Sequence, residues 1–209
     1  MNGIFLLFVK AISYAKRSEM KKDRPNSGGG TRRVTVYAAS SRESPEAYLA
    51  AGRAIGRGLA ERDHVLVYGG ATVGVMGALA EGALGAGGRV EGVILDEFAS
   101  VAHEELHALE TVSDMRSRKA GLADRGDAFI ALPGALGTLE ELSEILVERQ
   151  LNFHQKPVLL LNLDGFWDHL LRFLDRMESD GILTAANRNL AIVCTEVAEV
   201  LTTLDATLE

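Results

Sequence analysis

A chain of 209 residues, 47% hydrophobic, has room for one α/β domain with a sizeable core and needs no second domain. Its 22 basic against 29 acidic residues leave a net charge of −7, which argues against a general nucleic-acid or acidic-membrane surface and toward a small-molecule ligand. The single cysteine, Cys194, excludes an intrachain disulfide and a Cys-rich metal site, and it fits a reducing compartment.

Residues 4–9 are apolar, yet no basic residue precedes them and no small-residue cleavage site follows. The run is also far shorter than the ~20 apolar residues of a membrane span, so neither a signal peptide nor an anchor is expected. Residues 1–31, ending in Asn26-Ser27-Gly28-Gly29-Gly30, read as a flexible extension, with Met20 as a second candidate start. Residues 32–209 then form the folded domain, in a protein expected to be cytoplasmic.

From residue 33 short apolar runs alternate with amphipathic segments, which predicts a doubly wound parallel sheet with helices on both faces. Residues 34–38 form the first strand, ended by Ser40 and Ser41. A helix over 45–62 sets Tyr48, Ala51, Ile55 and Leu59 on one face. Residues 64–68 form the second strand, and Gly69-Gly70-Ala71-Thr72-Val73-Gly74-Val75-Met76-Gly77 opens a small-residue helix running to about residue 86. That loop reads G-G-x-x-x-G-x-x-G, not the dinucleotide pattern G-x-G-x-x-G, and neither Lys119 nor Lys156 follows a glycine as a Walker loop requires. Its glycines serve either tight strand-to-helix packing or a ligand, and both readings stay open.

Residues 89–95 form the third strand, with Asp96 and Glu97 at the end where ligands collect in open α/β sheets. An exposed loop carboxylate is the plainer reading of either. His103-Glu104-Glu105-Leu106-His107 has the H-E-x-x-H spacing of a zinc helix. Its flanks are short, residues 110–112 read as strand, and no third ligand is in view, so no metal is expected.

The helix beginning near Met115 crowds Arg116, Arg118 and Lys119 into its first turns, where the helix dipole is already positive. A solvated basic face is one explanation, and an anionic ligand read by Arg118 is the other. Residues 127–132 form a strand ended by Pro133, within the stretch LPGALGTLEEL at 132–142. Gly134 and Gly137 permit a tight turn whose amides, at a helix N-terminus, cradle phosphate or carboxylate. Thr138 is predicted to cap that helix. With Glu141 it has the S/T-x-x-E spacing of a capping box, so Glu141 is either a capping group or a carboxylate offered to the ligand. The helix runs to about residue 151, a strand follows over 156–163, and a helix over 166–180 packs through Trp167, Leu170, Leu171 and Leu174. Residues 191–195 and a helix from Glu196 close the domain.

With these motifs in place the chain resembles the LOG family, the cytokinin riboside 5′-monophosphate phosphoribohydrolases, over about residues 33–203. The marks are Ser40 and Ser41 after the first strand, Y-G-G-x-x-x-G-x-M-G at 68–77, M-x-x-R-K at 115–119 and P-G-x-x-G-T-x-x-E at 133–141. The resemblance implies a single Rossmann-like domain, a homodimer, and hydrolysis of the N-glycosidic bond of AMP or an N6-substituted AMP to free base and ribose 5-phosphate. It implies Arg118 and Glu141 as the catalytic pair and a phosphate loop of Gly134, Ala135, Leu136, Gly137 and Thr138. Glu97, Lys119 and Glu140 follow as further substrate contacts, with Ser40, Gly69 and Gly70 as additional candidates. Two positions depart from the family pattern: Ala135 replaces the motif's second glycine, and Val147 stands where relatives often place a threonine near the nucleotide. Ala135 motivates an alternative reading, a nucleotide-binding module with weak or no catalysis.

Breaking a C1′–N9 bond passes through a cation-like ribose and leaves negative charge on the base. A carboxylate and a cation answer both needs. By analogy with glycoside hydrolysis, Glu141 would stabilise the oxocarbenium ion or orient water. Arg118 would hold phosphate or the departing base, with the loop amides on the 5′-phosphate. This chemistry requires no metal and no redox cofactor.

Overall fold

The computed structural model describes residues 30–209, so the extension expected over 1–31 lies almost wholly outside the described residues, as do the 4–9 run and Met20. Seven strands form one parallel sheet in the order β4-β3-β2-β1-β5-β6-β7. They are β1 (Arg33–Tyr37), β2 (Val65–Tyr68), β3 (Val90–Leu95), β4 (Ala108–Val112), β5 (Ala128–Ala131), β6 (Val158–Leu161) and β7 (Ala191–Cys194). Most are four to six residues of continuous apolar or β-branched sequence, as strands covered on both faces must be. β4, at the sheet edge, is the exposed exception.

The helices are α1 (Glu46–Ala60), α2 (Gly74–Gly85), α3 (Met115–Arg125), α4 (Leu136–Gln150), α5 (Asp168–Ser179), the short α6 (Ala185–Arg188) and α7 (Val197–Leu208). Alternate strand residues feed two cores. Val34, Val36, Leu66 and Ile130 pack with Ile55 and Leu59 of α1, Leu79 of α2 and Leu204 of α7. Tyr37, Val67, Phe129 and Leu160 pack on the other face with Leu122 of α3 and with Leu142 and Ile145 of α4. The predicted doubly wound single sheet is therefore the architecture found. Trp167 is buried in the second core, with Leu170 and Leu171 of α5 packed against it. Among the described residues no helix is long and apolar enough to cross a membrane.

Strand order reverses at β1, which pairs with β2 on one side and β5 on the other. Loops leaving two neighbouring strands toward opposite faces open a crevice there, the usual ligand position in such sheets. Tyr37 is in register with Ala131, and the Leu132 amide donates to the Tyr37 carbonyl at 2.9 Å, so the ends of β1 and β5 are level where the glycine loop begins.

Sequence periodicity did not indicate the 3-10 segment Asp96–Val101 between β3 and β4 or the helix α6. The H-E-x-x-H stretch lies in turns rather than on a helix. There the His107 ring Nδ1 accepts from the Val90 amide at 3.2 Å, which gives that imidazole a structural partner.

Candidate active site

A cavity of about 350 Å³ occupies the crevice, within the range of small-molecule sites. Its floor comes from the strand ends: Ala38, Ala39 and Ser40 after β1, Gly69 after β2, and Ile94 and Leu95 of β3. Met115 and Arg118 of α3 and the start of α4, from Ala135 to Glu141, form one wall. The Met76 amide of α2 donates to the Ala39 carbonyl at 3.1 Å and joins a third helix to the floor.

The helix α4 begins at Leu136, three residues earlier than a Thr138 cap would allow. Ala135 holds the N-cap position and no side chain caps the helix. The predicted capping box is therefore absent: Thr138 lies inside the first turn, 3% exposed, and borders the cavity. The opening amides have no capping side chain and carry the positive end of the helix dipole, which makes an anion site of main-chain donors. Gly134 is required there by close approach, since a Cβ on it would stand 2.2 Å from Thr138 Oγ1. Ala135 has φ −87° and ψ −160°, an extended conformation open to any residue, so the departure from glycine carries no backbone strain.

Released from capping, Glu141 is bound instead by Arg118, whose Nη1 donates to Oε1 at 2.9 Å. Their side chains are 5% and 11% exposed. Burial pushes the Glu141 carboxyl above its ordinary range, and the Arg118 guanidinium offsets this only in part. Arg118 needs Gly69: a Cβ at that position would meet its Nη2 at 2.4 Å. This ties the second glycine loop to the candidate pair through space-making.

The basic crowding at the start of α3 has a local answer. Asp114 caps the helix, its carboxylate accepting from the Ser117 amide at 2.9 Å and the Ser117 hydroxyl at 2.6 Å, so a negative group stands at the positive end. Lys119 reaches across to α4, 2.7 Å from Glu140 and 3.0 Å from Glu144.

The structure thus brings Ser40, Gly69, Arg118, Ala135, Gly137, Thr138 and Glu141 to one cavity, with Gly134 supporting Thr138 from behind. Lys119 and Glu140 are engaged with each other on its flank, and Leu136 projects outward, 82% exposed. Glu97 is exposed on the 3-10 segment and does not line the cavity. Gly70, at φ +80°, turns its carbonyl to the His103 amide. Val147 is half-exposed and outside the cavity lining, so its difference from a threonine does not reach the site. Phe98 and Val101 border the cavity without having been singled out from sequence, as do Met76 and Met115, which the sequence offered only as motif marks.

Comparison with known proteins finds relatives in both sequence and fold. A family described as "Possible lysine decarboxylase" matches residues 76–204. The cytokinin riboside 5′-monophosphate phosphoribohydrolase of Rhodococcoides fascians is 42% identical over 167 residues, spanning 78% of this chain and 84% of that protein. The Arabidopsis thaliana enzyme of the same name, LOG2, is 38% identical over 176 residues, covering 83% of each. Among solved structures, the molybdenum cofactor carrier protein of Chlamydomonas reinhardtii superposes with a TM-score of 0.68 at 21% identity, over 85% of this chain and 98% of that one. The molybdenum cofactor binding protein of Rippkaea orientalis also gives 0.68 at 21% identity, over 88% of this chain and 100% of its own. These two establish a shared fold.

Proposed function

Because the chain belongs to the family of cytokinin riboside 5′-monophosphate phosphoribohydrolases, we propose that it hydrolyses the N-glycosidic bond of AMP or an N6-substituted AMP. The observation that carries this reading is a buried carboxylate–guanidinium pair beside an uncapped helix start, in one cavity. In the reaction the C1′–N9 bond breaks with its electrons going to the base, a water oxygen bonds to C1′ and keeps one proton as the new hydroxyl, and the water's other proton goes to the departing base. The products are free base and ribose 5-phosphate.

Each part of the site has a task in that sequence. The α4 amides with Gly134, Ala135, Gly137 and Thr138 hold the 5′-phosphate and so fix C1′ beside Glu141. Glu141, ionised, stabilises the developing oxocarbenium charge and orients the attacking water. Arg118 favours the ionised form of that carboxylate against its burial, and its remaining N–H groups serve the charge developing on the leaving base. Gly69 and Ser40 complete the floor, while Lys119 and Glu140 hold each other beside it. The same reading carries a homodimer working in the cytoplasm on a free nucleotide, with no nucleic acid, membrane, metal or redox cofactor among its requirements.

Purified protein incubated with AMP or N6-isopentenyl-AMP, without added metal or nicotinamide, is expected to release free base and ribose 5-phosphate, read by chromatography. Adenosine should be a poor substrate, since the loop amides would have no phosphate to hold. Tight AMP binding with no base released on prolonged incubation would instead make the chain a binding module.

Ala135 is the residue on which that alternative rests, and its negative φ argues for accommodation rather than defect. Ala135→Gly is expected to change KM for AMP by less than about threefold, under about 1 kcal/mol. A gain of tenfold or more in kcat/KM would identify the methyl group as an obstruction.

A further inference from the structure

A second cavity, of about 320 Å³, lies between α1 and α2, and its volume is within the range of small-molecule sites. Val73 is the only residue common to its lining and that of the catalytic cavity, so the two are neighbours with different walls. Farther along, the helices are in close contact: a Cβ on Gly56 would stand 2.0 Å from the Leu79 carbonyl oxygen, and one on Gly82 2.1 Å from that of Arg53. Nearer the start of α2, Gly74 and Ala78 present little side chain, and the cavity occupies that room. Gly74, at φ +62°, is packed against the turn after β1, where a Cβ would stand 2.6 Å from the Ser41 carbonyl oxygen. The next residue of that turn, Arg42, borders the cavity.

The lining divides by chemistry. Arg42 and Arg53 are its cations and Glu81 its carboxylate, which leaves a positive charge in excess on a chain whose net charge is −7. Arg42 makes no hydrogen bond or ion pair with another described residue. Arg53 is held from two sides: its Nη2 donates to Glu46 Oε1 at 2.7 Å, and its Nη1 stands 3.5 Å from Glu81 Oε2. The guanidinium fork is therefore fixed in place with donors to spare. The Thr72 hydroxyl gives its proton to the Val101 carbonyl at 3.1 Å, so at the cavity its oxygen is an acceptor. Leu49, Val73 and Ala78 supply apolar surface. Two cations suit a phosphate group, the two acceptors suit hydroxyl groups, and the apolar residues suit a carbon frame between them.

We propose that this cavity is a second ligand site, separate from the catalytic one, that takes a small sugar phosphate, with Arg42 and Arg53 on the phosphate and Glu81 and Thr72 on the hydroxyl groups. The Glu81 carboxylate opposes a bare anion but accepts from a hydroxyl, and an uncharged sugar leaves Arg42 without a counter-charge. A phosphate ester of a polyol answers both groups at once. None of these four residues belongs to the Arg118–Glu141 pair or to the glycine loop before α4, so the site does not depend on the hydrolase reading. Ribose 5-phosphate, a product of the proposed reaction, is a ligand of this class and serves as the probe.

The test is a nuclear magnetic resonance titration of isotope-labelled protein with ribose 5-phosphate, inorganic phosphate and ribose, following the amides of residues 72–74 separately from those of residues 134–138. The amides of 72–74 are expected to respond to ribose 5-phosphate at a lower concentration than to inorganic phosphate, and not to ribose. Arg42→Ala, which has no described partner to lose and should fold as wild type, is expected to weaken the response at 72–74 about tenfold and leave that at 134–138 unchanged. Arg53→Ala should weaken it in the same direction. Equal responses to inorganic phosphate and ribose 5-phosphate would overturn the assignment of a sugar phosphate. No response at 72–74, or one that both variants leave within about twofold of wild type, would overturn the site, whatever is found at 134–138 and whether or not AMP is hydrolysed.

Discussion

Glu141→Gln is expected to lower kcat for base release by about two orders of magnitude or more, roughly 2.7 kcal/mol of transition-state stabilisation, while the protein melts within a few degrees of wild type. The two outcomes separate because Glu141 has no capping duty: α4 starts at Leu136 with Ala135 before it. Glutamine keeps an oxygen for Arg118 Nη1, so the side-chain contact survives. Removing a buried charge relieves its desolvation and forfeits the ion pair, and for a well-buried pair these terms oppose each other. Only the charge needed opposite an oxocarbenium ion is missing. Turnover equal to wild type would assign Glu141 to structure.

Arg118→Ala should be as damaging to turnover and should move the acid limb of the pH profile, whereas the glutamine change removes the group that titrates along it. The Glu141 carboxyl already titrates above the ordinary carboxylate range because burial outweighs the guanidinium's opposing pull. Activity that needs the ionised form therefore rises with pH along an acid limb centred above that range. Without Arg118 the limb shifts to higher pH still, and the residual activity should be measured across it. Stability follows the linked direction: a carboxyl whose folded-state pKa is raised stabilises the fold fully below its unfolded pKa and loses that contribution as pH rises through the folded one. In the variant this loss extends further upward, and leaving the buried carboxylate uncompensated costs up to about 3–5 kcal/mol. An acid limb unmoved from wild type would show that Arg118 does not govern Glu141.

Much of this site is legible in the chain because its parts are local. The runs around Val34, Val67 and Ile130 read as buried strands since both sides of each are covered, and the glycine loop follows its strand directly. Arg118 stands out as a cation where the helix dipole opposes one. The helix start was misplaced because cap recognition looks for a hydroxyl or carboxylate, and this helix opens without either. The segment from Asp96 to Val101 has neither helical nor alternating period, so Phe98 gave no signal; its place depends on ties to Thr72 and Ala71 that only the assembled sheet reveals. Lys119 read as a cation available to substrate, whereas Glu140 and Glu144, one helical turn apart, hold it. Val147 lies six residues beyond Glu141, about 240° around the helix, which carries it off the cavity side.

The uncapped opening of α4 bears on how sites of this kind can change over generations. Donors supplied by the main chain are present whatever side chains the loop carries, provided the turn still closes. A residue such as Ala135 can therefore drift at little cost, and the grip on an anion is robust to substitution. The pair at Arg118 and Glu141 has no such redundancy, because each function belongs to one side chain and its space is reserved by Gly69. Retention of the phosphate and retention of the chemistry are thus separately heritable, and a descendant of this chain could lose the second while keeping the first.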